Sequence, residues 1–138
     1  TGVQLEVGST ASNFVHELYA DTFLKCQRYY HVLFDATKQN TTYWQQAYYY
    51  NTSTLAFIKS LVPEMRATPS LECTSTSGVY RAYRGGSYNS INTFFISHSS
   101  SKTARIYTTG SFGSVSGYGA GLYVSSGTNE MIALSAEL

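Results

Sequence analysis

Apolar and polar residues alternate along most of this chain in short runs, interrupted roughly every 8–12 residues by Gly, Ser, Asn or Pro. Val3, Leu5 and Val7 alternate with Gln4 and Glu6, which predicts a short strand ended by Gly8-Ser9. The one stretch of helical spacing follows. Leu18, Phe23, Leu24 and Cys26 can share a helix face, predicting a short helix over 16–25 with Thr10, Ser12 or Asn13 as its cap. Residues 28–34 are aromatic and β-branched enough to return to strand.

From there the pattern is sheet throughout. Over 41–51, Tyr43, Gln45, Ala47 and Tyr49 fall on one face and Trp44, Gln46, Tyr48 and Tyr50 on the other. Both faces carry rings, so one must meet the core and the other a partner, a neighbouring subunit or solvent. Further strands are expected over 55–62, where Pro63 stops the run, around Leu71 and Cys73, and over 78–83, 91–97, 102–108, 119–125 and 131–136. Turns such as Arg84-Gly85-Gly86-Ser87 separate them. About nine or ten short strands with one helical window predict an all-β fold, two antiparallel sheets packed as a jelly-roll-like β-sandwich, in one domain over 1–138.

Composition sharpens this picture. Hydrophobic residues make up 43% of the 138, enough for one core, while charged residues are only 12%, about half the usual share. Ser, Thr, Asn, Gln and Gly supply the polarity. Tyrosine, with 13 copies beside 7 Phe and 1 Trp, offers flat apolar faces with polar tips. Most of these rings are expected to line the core and the sheet faces. A net charge of +1 gives no footprint for a nucleic-acid partner, and no apolar run approaches the roughly 18–20 residues of a membrane-inserted helix. No signal peptide is visible, and the opening at Thr1 points to a fragment or a processed product. Cys26 and Cys73 lack metal-binding spacing and are expected as free, largely buried thiols in preference to a disulfide.

Motifs of catalysis do not assemble. His16-Glu17 has no second histidine at metalloprotease spacing, and His16, His31 and His98 are scattered, so no metal or cofactor is expected. The Gly/Ser-rich stretch 110–119 lacks the Gly-Lys-Ser/Thr ending of a phosphate cradle. Its Gly113-Ser114-Val115-Ser116-Gly117 lacks the strand and helix that flank a nucleophile elbow, so it reads as a flexible loop. The 8 carboxylates show no pair suited to glycoside hydrolysis. Asn40-Thr41-Thr42 and Asn51-Thr52-Ser53 match the glycosylation pattern, as chance allows in so Thr/Ser-rich a chain. The reading is a binding module, not an enzyme.

Three stretches resemble the C-terminal region of tail-fibre and minor structural proteins of tailed phages, notably environmental and cyanophage sequences. They are Gly2-Val3-Gln4-Leu5-Glu6-Val7-Gly8-Ser9-Thr10-Ala11, the more specific Leu24-Lys25-Cys26-Gln27-Arg28-Tyr29-Tyr30, and Met65-Arg66-Ala67-Thr68-Pro69-Ser70-Leu71 with the closing Leu134-Ser135-Ala136-Glu137-Leu138. Between Tyr80 and Tyr123 the likeness is one of texture only. It departs from the family at Asn13-Phe14-Val15-His16-Glu17, where the family tends to carry Pro-Phe-Glu and an Arg-Ser pair. The resemblance implies a β-sandwich at a virion tip, commonly a homotrimer, that recognises a host-surface glycan or receptor. It implies that 1–10 closes an upstream carbohydrate-binding-like domain. Cys26 and Tyr29 are then core residues, and Arg28 pairs with a buried acid or a backbone carbonyl.

Sugar recognition needs aromatic faces for C–H patches, with amides, hydroxyls or guanidinium groups for ring hydroxyls. Aromatic residues at strand ends and loops are the candidates: Tyr43, Trp44, Tyr83, Tyr88 and Tyr118, with Arg84 and Asn89. Trp44 can equally pack in the core or a trimer interface. The competing reading is a structural trimerisation or capsid-decoration domain without a ligand.

Overall fold

The computed structural model describes residues 17–37, 43–74, 78–113, 116–125 and 129–136. The strand expected over 3–7 and the capping candidates Thr10, Ser12 and Asn13 lie outside these residues. One helix, α1 (Tyr19–Gln27), leads into β1 (Tyr30–Asp35), β2 (Tyr43–Asn51), β3 (Thr54–Ser60), β4 (Ser70–Cys73) and β5 (Tyr80–Arg84). Then come β6 (Ser87–Ile91), β7 (Phe95–Ser97), β8 (Thr103–Thr109), β9 (Gly119–Val124) and β10 (Met131–Ser135).

Alternation sets the faces. In β8, Ala104, Ile106 and Thr108 are buried while Arg105 and Tyr107 look outward; in β9, Ala120, Leu122 and Val124 are buried opposite Gly119, Gly121 and Tyr123. All pairings are antiparallel. The small sheet runs β1-β10-β4 and the large one β6-β5-β9-β2-β3-β8-β7. The order β1-β10-β4 is matched across the core by β2-β9-β5, because the chain changes sheets after β1, β3, β4 and β9. That nesting of crossings is jelly-roll topology. β3, β8 and β7 widen the large sheet, and β7 comes round to approach β4.

The core lies between the sheets. Phe34, Ile132 and Leu134 from the small sheet meet Leu55, Phe57, Tyr80, Leu122 and Val124 from the large one. Trp44 is the hub of its aromatic part, with ring centroids 5.4 Å from Phe34, 5.6 Å from Phe57 and 6.0 Å from Phe94. Of the 13 tyrosines only Tyr49 and Tyr80 are buried.

Four local features differ from the sequence pattern. In β2, strict alternation fails at a bulge: Tyr43 pairs with Tyr123, but Gln45 pairs with Leu122, so Trp44 is the extra residue. The bulge turns Trp44 into the core and leaves Tyr43 on the opposite face from Ala47 and Tyr49. Residues 91–97 are not one strand. β6 ends at Ile91, and the chain leaves the ladder so that Phe94 can enter the core before Phe95 rejoins the sheet facing outward. The resulting β5–β6 hairpin turns on Gly85 (φ +56°) and Gly86 (φ +86°), the two consecutive positive-φ residues that a tight hairpin requires.

Within the Gly/Ser-rich stretch, the described residues 110–113 and 116–119 are held against β2 and the turn that follows it. Phe112 is buried against Tyr49 at 5.7 Å, Gly110 N–H donates to Ser53 O, and Gly117 N–H donates to Tyr49 O.

The helix begins three residues later than its periodicity suggests, with Leu18 as a cap that makes no side-chain hydrogen bond. None of its residues is buried, since β1 is the main element it packs on. Cys26 and Tyr29 are therefore exposed, not core, while Cys73 is half-buried; both thiols are free. Arg28 joins no acid among the described residues. Its carbonyl instead accepts the Arg66 N–H at 2.8 Å.

This layering makes two substitutions diverge. Leu122→Ala, in the centre of the core, is expected to cost about 2–5 kcal/mol, whereas the outward Ile58→Ala should stay within about 0.5 kcal/mol. Urea unfolding measures both, and equal losses would contradict the assignment of faces.

Candidate functional site

The outer face of the large sheet carries a layer of rings. Register puts Tyr83 of β5 opposite Tyr88 of β6 and Gly121 of β9, and Tyr43 of β2 opposite Tyr123 of β9. Four of these rings close a circuit. Centroids are 5.7 Å apart for Tyr43–Tyr83, 4.8 Å for Tyr83–Tyr88, 5.3 Å for Tyr88–Tyr123 and 5.2 Å for Tyr43–Tyr123. All four pairs are tilted or edge-on, the geometry that ring quadrupoles favour.

Gly121 makes the circuit possible. A Cβ there would lie 2.8 Å from Tyr43 Cδ1, so only glycine lets that ring lie down on the strand. Beside the circuit runs an open trough over β2, β9 and β5. One part, of about 540 Å³, is lined by Tyr43, Trp44, Gln45, Gln46 and Gly121. The other, of about 400 Å³, is lined by Gln46, Tyr83, Arg84, Gly119 and Gly121 among others. They share Gln46 and Gly121. At its end the Arg84 guanidinium lies 4.3 Å from the Tyr118 ring centroid and 5.9 Å from that of Tyr49.

The structure thus brings Tyr43, Tyr83 and Tyr88 together, with Arg84 and Tyr118 at one end. It does not bring Trp44 onto the open face: its ring sits in the core and only borders the trough, with Nε1 buried and without a partner among the described residues. Asn89 sits opposite Ala82 on the half-buried inner side of edge strand β6, away from the rings. The pattern-based selection missed Tyr123, Gln46, Gly119 and Gly121. Their signal was the Gly119-x-Gly121-x-Tyr123 alternation, two bare positions followed by a ring on one face of one strand.

A second ring group lies on the β3–β8–β7 side. Phe95 and Tyr107 are 5.4 Å apart, and the Arg105 guanidinium sits 5.5 Å from the Tyr107 ring centroid and 5.2 Å from that of Tyr50. Ala56, between Tyr48 and Tyr107 in register, is 1% exposed although it faces outward, which shows how closely these side chains roof the sheet.

Chemically the trough offers flat apolar faces, amides and a guanidinium, which suits recognition of a neutral polar surface with C–H patches. Among the described residues no three His, Cys, Asp or Glu side chains converge as a metal would need. No helix there is long and apolar enough to cross a membrane.

The Tyr43 hydroxyl is pushed up to about 12, first by loss of water among its neighbours and then by the hydrogen bond and charge of Tyr88. Tyr80 in the core is raised further, mainly by burial.

A folded-state pKa above the ordinary value of about 10 stabilises the fold fully below pH 10. That contribution is then lost as pH rises through about 12. Tyr43 is accordingly expected to remain a phenol at pH 11, and Tyr88→Phe to lower its titration point, both read by NMR of labelled tyrosine. Gly121→Ala should displace the Tyr43 ring, lowering stability by about 0.5–1.5 kcal/mol and the Tyr43 pKa with it. Gly119→Ala, whose Cβ would meet nothing closer than Ala47 O at 3.9 Å, should do neither. Identical behaviour of the two variants would contradict the ring-over-glycine arrangement.

No protein-family model, curated protein or solved structure matches this chain.

Proposed function

We propose that this chain is a host-surface recognition module that binds glycan along the trough between Tyr43 and Arg84, displayed at the tip of a phage tail fibre or a similar virion appendage. The observation that carries the binding part is the closed Tyr43–Tyr83–Tyr88–Tyr123 circuit beside a groove edged by Gln45, Gln46 and Arg84. Rings held by one another have little side-chain entropy left to lose on binding, which favours a polar ligand that offers C–H patches to their faces, such as a sugar. The virion setting and the glycan class come from the resemblance to tail-fibre sequences. Phenol, amide and guanidinium groups line the trough, so the module reads as a binder and not a catalyst.

A second reading, a homotrimer or decoration module whose role is structural, is favoured by a separate observation. Leu18, Tyr19, Phe23 and Leu24 of the α1 region and Val32 of β1 all stay exposed, at 73%, 82%, 49%, 48% and 45%. Such exposure suits burial between copies.

A glycan array and light scattering separate the two. The glycan reading predicts array hits that weaken about tenfold in Tyr83→Ala, measured at a temperature well below the variant's own unfolding transition. A trimer with no hit on the array would overturn it in favour of the structural role.

A further inference from the structure

We propose that the ring-covered face takes an acidic sugar, whose carboxylate is held by Arg105 in a cleft that this side chain shares with Tyr50 and His98. This rests on the glycan reading above and extends it to a second place on the same face.

The cleft measures about 390 Å³, within the roughly 300–1,000 Å³ of small-molecule sites. Its arginine is held in place. The guanidinium lies 5.2 Å from the Tyr50 centroid and 5.5 Å from the Tyr107 centroid, and Nη1 donates to Ser97 Oγ at 2.9 Å. Rings on its flanks and one hydroxyl fix the plane of the fork, while its other N–H groups have no acidic partner among the described residues. A planar fork held in this way suits bidentate binding of a carboxylate, with less rotamer freedom to lose than a free arginine. His98, at φ +47°, takes a left-handed backbone position that side chains rarely adopt, and adds an imidazole to the same cleft.

Charge over the whole sheet points the same way. The seven strands of the large sheet carry Lys59, Arg81, Arg84 and Arg105 and not one Asp or Glu. The described carboxylates, Glu17, Asp21, Asp35, Glu64, Glu72 and Glu130, lie before β1, on the small sheet or in loops. Each of the three arginines stands over a tyrosine: Arg81 over Tyr88, Arg84 over Tyr118 and Arg105 over Tyr50. A net charge of +1 conceals this segregation. Of these cations, register puts Arg81 and Arg105 on the outer face, level with Tyr123 and Ile58, so that face carries rings and two guanidinium groups and no acid, which attracts an anion.

Calorimetric titration tests the proposal with a glucuronic-acid-terminated trisaccharide, its methyl ester, inorganic sulfate and a short oligo-dT. The acid is expected to bind about tenfold more tightly than its ester, with Arg105→Gln bringing that ratio to about one. His98→Gly relieves the backbone, so it folds whatever becomes of the cleft, and should lower the ratio several-fold. Equal affinity of acid and ester, with the ester still bound and still sensitive to Tyr83→Ala, would overturn this inference alone. Absence of binding by either sugar would remove the glycan reading as well. Sulfate binding as tightly as the acid, or oligo-dT binding more tightly than either sugar, would overturn it in favour of a free-anion or single-strand site.

Discussion

A single extra residue in β2 separates the two halves of this structure's chemistry. Because Trp44 is bulged, Trp44 enters the core and Tyr43 faces outward, where unbroken alternation back from Ala47 and Tyr49 would have put each on the other side of the large sheet. Trp44 then completes the aromatic core with Phe34, Phe57 and Phe94, and Tyr43 is free to lie across Gly121. Without the extra residue, the core loses its largest side chain and the outer circuit loses Tyr43 at once. A bulge weakens the ladder locally, and here that loss is offset by ring packing on both faces.

The outer layer is more than a set of exposed side chains. Aromatic neighbours on adjacent strands stack across the register, arginines lie over them, and Ala56 is buried beneath a face that formally points to water. A roof of this kind resembles half an interface: rigid, apolar in its centre and polar at its rim. The small sheet and α1 present the opposite character, with exposed aliphatic residues and three of the six described acids, Asp21, Asp35 and Glu72. The two sides of the sandwich therefore suit different encounters, one with a polar anionic ligand and the other with apolar surface.

Much of the architecture was legible from pattern alone. Period-two alternation in β8 and β9, Pro63 after β3 and the Gly85-Gly86 turn each reflect a local backbone rule, and local rules survive folding. What could not be read were events that depend on a partner strand. A bulge is defined by two residues facing one, so nothing at Trp44 announces it until β9 is in place. The departure of Phe94 from the ladder follows from space in a core built by distant segments. The apolar spacing of α1 predicted the helix, but spacing does not say whether a surface exists to cover it. Within the site, Tyr43, Tyr83 and Tyr88 were found because rings near turns stand out. Tyr123 and Arg105 do not adjoin a Gly-rich turn in the sequence, and their neighbours are set by β5–β9 and β3–β8–β7 pairing, which no stretch of sequence displays.

The central claim is that ligand contact belongs to the outer face of the large sheet. Aromatic carbon–proton NMR spectra, recorded while the tightest sugar from an array is titrated in, test it most directly. Shifts concentrated on Tyr43, Tyr83, Tyr88 and Tyr123, with Tyr19, Phe23 and Tyr29 unmoved, are what this account predicts. Shifts confined to the α1 side would contradict it.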